Sequence, residues 1–76
     1  MLDRQLLDIF RNVFPTLTDA EIQSATTDRL AAWDSMASVN LFLQIQQELG
    51  LPIDFEEAAA LTSYSTIREY VQARRA

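Results

Sequence analysis

Asp34-Ser35-Met36-Ala37-Ser38-Val39-Asn40-Leu41-Phe42-Leu43-Gln44-Ile45-Gln46-Gln47-Glu48-Leu49-Gly50 is the stretch on which the fold turns. It opens on two good helix N-cap residues, Asp34 and Ser35. It closes on Gly50, where a left-handed C-cap glycine belongs, and Pro52 blocks any continuation. The spacing predicts a helix from Ser35 or Met36 to Leu49. At about 100° per residue, Leu41, Phe42, Ile45 and Leu49 make one continuous face, the expected core. Met36, Val39 and Leu43 cluster on a different side, flanked by Asn40, Gln46 and Gln47. The apolar arc is too wide for one buried stripe. Either neighbours wrap the helix on two sides, or Met36, Val39 and Leu43 form a partly exposed docking patch beside Ser35. In so small a chain the patch is expected, since exposed apolar clusters mark interaction sites.

The same rules lay out the chain on either side. Leu6, Phe10 and Val13 fall at i, i+4 and i+7, with Leu2, Ile9 and Phe14 nearby. This stripe predicts a first helix over residues 2–14, stopped by Pro15. The connection over 15–33 is long for a compact domain. Within it, Thr18-Asp19-Ala20-Glu21 has the spacing of a capping box, so a short helical turn is expected, with Ile22 as its buried anchor. Leu17, Leu30 and Trp33 are expected to pin the rest. After Pro52, a short helix is expected over 55–60, started by Asp54, with Glu56 and Glu57 in its first turn where acids favour the dipole. A last helix starts near Ser63 or Ser65 and runs to about Arg74. Tyr64, Ile67 and Val71 line its inner face, and Arg74 and Arg75 suit its C-terminal end. The expected fold is therefore all-α: a small four-helix bundle of three main helices plus a short third helix, with a long loop between helices one and two. One domain over residues 1–76 is expected, without repeats or low-complexity segments.

Composition narrows the chemistry. At 76 residues, such a chain buries only roughly 60% of the surface its unfolded form exposes. It has little room for a deep, dry catalytic cavity. There is no His, no Cys and no Lys. That removes His-based triads, thiolate nucleophiles, disulfides, Cys- or His-ligated metal and Schiff-base chemistry. Neither a metal site nor a catalytic residue is expected. Asp54, Glu56 and Glu57 could in principle act as acid and base, but they read instead as the start of a short helix, and an enzyme is not expected. The net charge is −5, from 11 Asp and Glu against 6 Arg. That disfavours nucleic acid, which demands a basic face. It suits encounters with basic partners, or simply solubility. The most apolar run, residues 39–45, is short and broken by Asn40 and Gln44, so no membrane span is expected. Met1-Leu2-Asp3-Arg4 lacks the basic start and apolar block of a secretory signal. A cytoplasmic monomer is expected, compatible with the lack of Cys.

Ser35 is the candidate functional residue. The first N–H groups of a helix lack intrahelical partners, and the dipole adds partial positive charge there. A phosphodiester on the Ser35 hydroxyl would rest against that helix end. The position therefore suits a phosphate-linked modification. Taken alone, a serine before a helix is usually a cap and nothing more.

Trp33-Asp34-Ser35-Met36, followed by Val39-Asn40-Leu41 and then Gln47-Glu48-Leu49-Gly50-Leu51-Pro52-Ile53, resembles the acyl carrier protein and peptidyl carrier protein family. The family's signature is Asp-Ser-Leu at the start of the second helix, its serine bearing phosphopantetheine. The resemblance covers essentially the whole chain, down to Leu61-Thr62-Ser63-Tyr64 before the last helix. It implies that a phosphopantetheinyl transferase moves 4'-phosphopantetheine from coenzyme A onto Ser35. The arm's thiol would hold acyl or aminoacyl groups as thioesters, loaded by an activating ligase or an acyltransferase and delivered to downstream biosynthetic enzymes. The thiol comes with the cofactor, so a chain without Cys needs none of its own. The tether raises the effective concentration of cargo at each partner. By the same resemblance, Asp34 helps present Ser35 to the transferase, its other role being a helix cap, and Met36 starts the surface that partners read. Met36 stands where many members have Leu. Ala37, Asn40, Gln46 and Gln47 occupy positions often acidic in fatty-acid-synthesis carriers, and Glu48 alone remains. The chain is thus more similar to stand-alone carriers of specialised pathways. Two rivals keep the fold: an unmodified helical interaction module that docks through Met36, Val39 and Leu43, and a carrier that has lost its modification.

Overall fold

Five helices follow one another in the computed structural model, which describes residues 2–75, the side chains of Phe55 and Arg75 excepted. They are α1 (Leu2–Val13), α2 (Asp19–Gln23), α3 (Ser35–Leu49), α4 (Phe55–Ala58) and α5 (Tyr64–Arg75). The fold is all-α. Among the described residues there is no strand, only an isolated antiparallel bridge between Thr26 and Ser63.

α1 buries Leu6, Leu7, Ile9 and Phe10. It ends one residue before the expected Phe14. The Phe14 N–H still donates to Phe10 O at 2.7 Å, but Pro15 drives the residue before it out of the helical backbone region. α2 is the expected turn. Thr18 Oγ1 accepts from the Glu21 N–H at 3.2 Å, and Glu21 Oε1 accepts from the Thr18 N–H at 2.9 Å. These reciprocal bonds close the capping box, and Ile22 is fully buried behind it.

The rest of the connection is held by the far end of the chain. The Thr27 N–H donates to Thr62 O at 2.9 Å, and the Tyr64 N–H to Ala25 O at 3.1 Å. Trp33 then packs edge-on to Phe10, with ring centroids 5.6 Å apart. Tyr64 meets the same ring at 5.2 Å. Leu17 and Leu30 pack against the core only partly buried.

Asp34 caps α3, and Gly50 ends it in the left-handed region, with φ 66° and its N–H on Gln46 O at 2.9 Å. The fully inward row is Ala37, Leu41 and Ile45. Phe42 and Leu49, expected in the core, lie on its flank and are partly buried. A helical wheel assigns direction, not depth, and an i, i+4, i+8 row is what a single neighbouring helix covers. α4 stops at Ala58, short of the expected Ala60. There the bonding tightens to i→i−3, with Ala60 N–H on Glu57 O and Leu61 N–H on Ala58 O, both 3.0 Å. α5 starts at Tyr64 with Ser63 as its cap. Ser63 Oγ accepts from the Thr66 N–H, and Thr66 Oγ1 from the Ser63 N–H, each at 3.1 Å. Ile67 and Val71 are fully buried and Tyr64 nearly so, as expected of the inner face.

α1 packs against α2, α3 and α5, and α2 against α5. The radius of gyration is 11.2 Å, close to the value of about 11 Å for a compact fold of this length. The helices therefore close on one core. Exposed ion pairs tie its periphery: Arg11–Asp19, Arg68–Asp3 and Arg74–Glu57. No described helix is long and apolar enough to cross a membrane.

Candidate functional site

Ser35 is the first residue of α3 and is exposed. Asp34 and Ser35 are both competent caps, and the structure gives that role to Asp34. Its Oδ1 accepts from the Ala37 N–H at 2.9 Å, and its carbonyl from the Ser38 N–H at 3.0 Å. The Ser35 hydroxyl makes no hydrogen bond among the described residues. Nor do the N–H groups of Ser35 and Met36, which stand as open donors in the first turn.

The chain is fixed on both sides of Ser35. Trp33 is 3% exposed, and its indole Nε1–H donates to Ser38 Oγ at 2.9 Å. This bond spans the serine from the preceding loop to the first turn of α3. With Trp33 wedged against Phe10 and Phe14, the start of α3 is locked to α1.

A groove of about 320 Å³ opens beside Ser35. One wall is α3, through Ser35, Ser38, Val39 and Phe42; the rest is the end of α4 and the chain after it, through Ala58, Ala59, Leu61 and Thr62, together with Thr27. A second cavity of about 240 Å³ continues along α3, sharing Val39, Phe42 and Ala58 and adding Leu43, Gln46 and Ile53. Together they make one cleft between α3 and the α4 segment.

The patch expected from the wheel overlaps the cleft, since Val39 and Leu43 line it while Met36 does not. Met36 is 73% exposed, Val39 49% and Leu43 50%. Neighbours do not wrap α3 on both sides. The acids after Pro52 are dispersed: Asp54 and Glu56 are exposed, and Glu57 pairs with Arg74. Arg74 also lies over the Tyr70 ring at 3.8 Å. Among the described residues no cluster of three or more carboxylates could hold a metal.

Several lining residues escape sequence reasoning. Ser38 was within reach, being three residues beyond Ser35 and so on the same helix face. Thr27, Leu61 and Thr62 were not, because the bridge between residues 26 and 63 brings them there. Comparison of the chain with protein-family models, with curated proteins and with solved structures finds no match.

Proposed function

We propose that this protein is an acyl carrier protein. Ser35 carries a covalent 4'-phosphopantetheine, and the chain serves partner enzymes without catalysing a reaction itself. The observation that carries this reading is the division of labour at the head of α3. Asp34 caps the helix, so the Ser35 hydroxyl is exposed, unengaged and rigidly placed. A serine whose only work was capping would have its oxygen on a first-turn N–H.

The residues present fit the group. The open N–H donors of Ser35 and Met36 suit a phosphate bonded to Ser35 Oγ. The adjoining groove gives the rest of the arm a place to lie. When attached, the arm supplies a terminal thiol on which acyl or aminoacyl groups are held as thioesters. The chain's own residues then position and present. Trp33 and Ser38 hold the attachment point still, and Met36, Val39 and Leu43 offer partners an apolar landing surface.

In this reading α1, α3 and α5 are the main helices of a small four-helix bundle, α4 is the short third one, and α2 is a turn inside the long first loop. The bundle is one domain, a cytoplasmic monomer. Its partners are a phosphopantetheinyl transferase, an acyl- or aminoacyl-activating ligase or an acyltransferase, and downstream biosynthetic enzymes. The near-neutral α3 favours a specialised pathway over fatty-acid synthesis.

The exposed patch also favours a second reading, an unmodified module that docks through the same three side chains. Incubation with coenzyme A and a broad-specificity phosphopantetheinyl transferase, read by intact mass, separates them. The wild type should gain one phosphopantetheine, and Ser35→Ala none. No gain on the wild type leaves the docking module standing.

A further inference from the structure

Every basic residue of the chain is an arginine: Arg4, Arg11, Arg29, Arg68, Arg74 and Arg75. Lysine is ordinarily among the commonest residues, and the two are not interchangeable. A lysine amine, with a pKa of about 10.4, loses its proton readily enough to attack a carbonyl; a guanidinium, at about 12.5 or above, does not. The other side chains are poor nucleophiles too. There is no Cys, and no His to draw a proton from a hydroxyl. The Asp34 carboxylate next to Ser35 is held on the Ala37 N–H. Burial raises both phenols, Tyr64 and Tyr70, above the ordinary 10.0 and so keeps them protonated.

We infer that this chain is inert toward its own cargo: with arginine at every basic position, no side chain can take an acyl group from the arm on Ser35, which suits the protein to aminoacyl and other electron-poor acyl thioesters. This rests on the carrier reading and narrows its cargo. A thioester passes its acyl group to an amine when the nitrogen attacks the carbonyl carbon. The C–S bond breaks, an amide forms, and the proton lost by nitrogen ends on the departing sulfur. The cargo is then lost to the downstream enzymes. A tether makes this hazard acute, since it holds the thioester at high effective concentration around its root. The α-ammonium of an aminoacyl group draws electrons from the carbonyl and makes it more acylating still.

Position 29 is where the choice of cation matters. Thr27 lines the cleft onto which Ser35 opens, and Arg29 follows two residues later. Its backbone N–H is fixed on Thr26 O at 3.3 Å and on Thr26 Oγ1 at 3.2 Å. Arg29 is exposed and pairs with no acid among the described residues, whereas Arg11, Arg68 and Arg74 each do. No ion pair therefore holds its basic head away from the arm.

The test attaches the arm from coenzyme A whose thiol carries glycine, with loading verified by intact mass. Wild type and Arg29→Lys are held at about pH 9, where roughly one lysine amine in 25 is free base, against fewer than about one guanidinium in 3,000. Hydroxylamine then strips thioesters and leaves amides. Peptide masses are read over residues 5–76, so the chain's α-amine is not counted. The wild type should hold no hydroxylamine-stable glycyl group. Arg29→Lys should gain one at position 29, at a rate unchanged on dilution, and should lose its thioester several-fold faster than the wild type. A stable glycyl group on any wild-type side chain would overturn the proposal, as would an Arg29→Lys chain that stays unmodified. Failure of the wild type to gain the loaded arm would overturn the carrier reading itself, a separately visible outcome.

Discussion

Asp34 and Ser35 are adjacent, similar in size and equally able to cap a helix, yet only one does. The Asp34 carboxylate bonds the Ala37 N–H, and that choice has measurable consequences. Asp34→Ala should cost about 1 kcal/mol, as for other lost N-caps. Ser35→Ala should change stability by less than about 0.5 kcal/mol, as for surface positions without a structural partner. Urea denaturation of both variants reads the difference; equal losses would show that Ser35 also caps. Which residue would cap was not legible, because both satisfy the same local rule. What decides it is the placement of Trp33, buried on Phe10 and bonded to Ser38. That packing is tertiary, and no local pattern encodes it.

α3 is the element in which sequence and structure agree most closely, since its signals are local. A cap residue, a C-cap glycine and a following proline are read within a few positions. Its two apolar faces were legible too, and they separate in the structure: Leu41 is fully buried, while Leu43 is half exposed. Leu41→Ala should destabilise by about 2–5 kcal/mol, as for truncation in a core. Leu43→Glu should cost less than about 1 kcal/mol and leave unfolding cooperative, while weakening loading by a partner. Chemical denaturation checks the pair, and comparable losses would place Leu43 in the core. The expected inward role of Phe42 and Leu49 was too strong because angle alone says nothing of how much neighbour is present. The end of α4 was overrun for a different reason. Ala58-Ala59-Ala60 has high helix propensity, but Leu61 must turn into the core, where it is buried. The chain tightens into i→i−3 bonds to deliver it.

At the scale of the molecule, chain ends and distant loops are joined by contacts that no short window contains. The bridge between Thr26 and Ser63 closes the long connection onto the head of α5 and completes the groove beside Ser35. A polar cluster does the same for α1 and α5. Asp3 pairs with Arg68, and the Tyr64 hydroxyl donates to Asp3 Oδ1 at 3.5 Å. The hydrogen bond from Arg68 holds the Asp3 carboxyl below its ordinary value of 3.8. Its contribution is therefore present above pH 3.8 and is lost as pH falls through the lower folded value. Tyr64 moves the other way. Burial, then the charge of Asp3, raises its phenol above the ordinary 10.0. Stability should thus be full below pH 10 and fall as pH rises through the raised value. Tyr70 shifts in the same direction through burial and a hydrogen bond with Glu57. Tyr64→Phe should accordingly lessen the alkaline slope without abolishing it, as followed by denaturation on either side of pH 10. An unchanged slope would place the titrating group elsewhere.

The most direct measurement is where the added mass sits. After treatment with coenzyme A and the transferase, trypsin should release residues 30–68, bounded by cleavage after Arg29 and Arg68. That peptide holds Ser35 together with Ser38, Thr62, Ser63, Ser65 and Thr66. Fragmentation should place a single phosphopantetheine on Ser35. An unmodified peptide, or the addition on any other hydroxyl, would contradict the assignment of Ser35 as the attachment site.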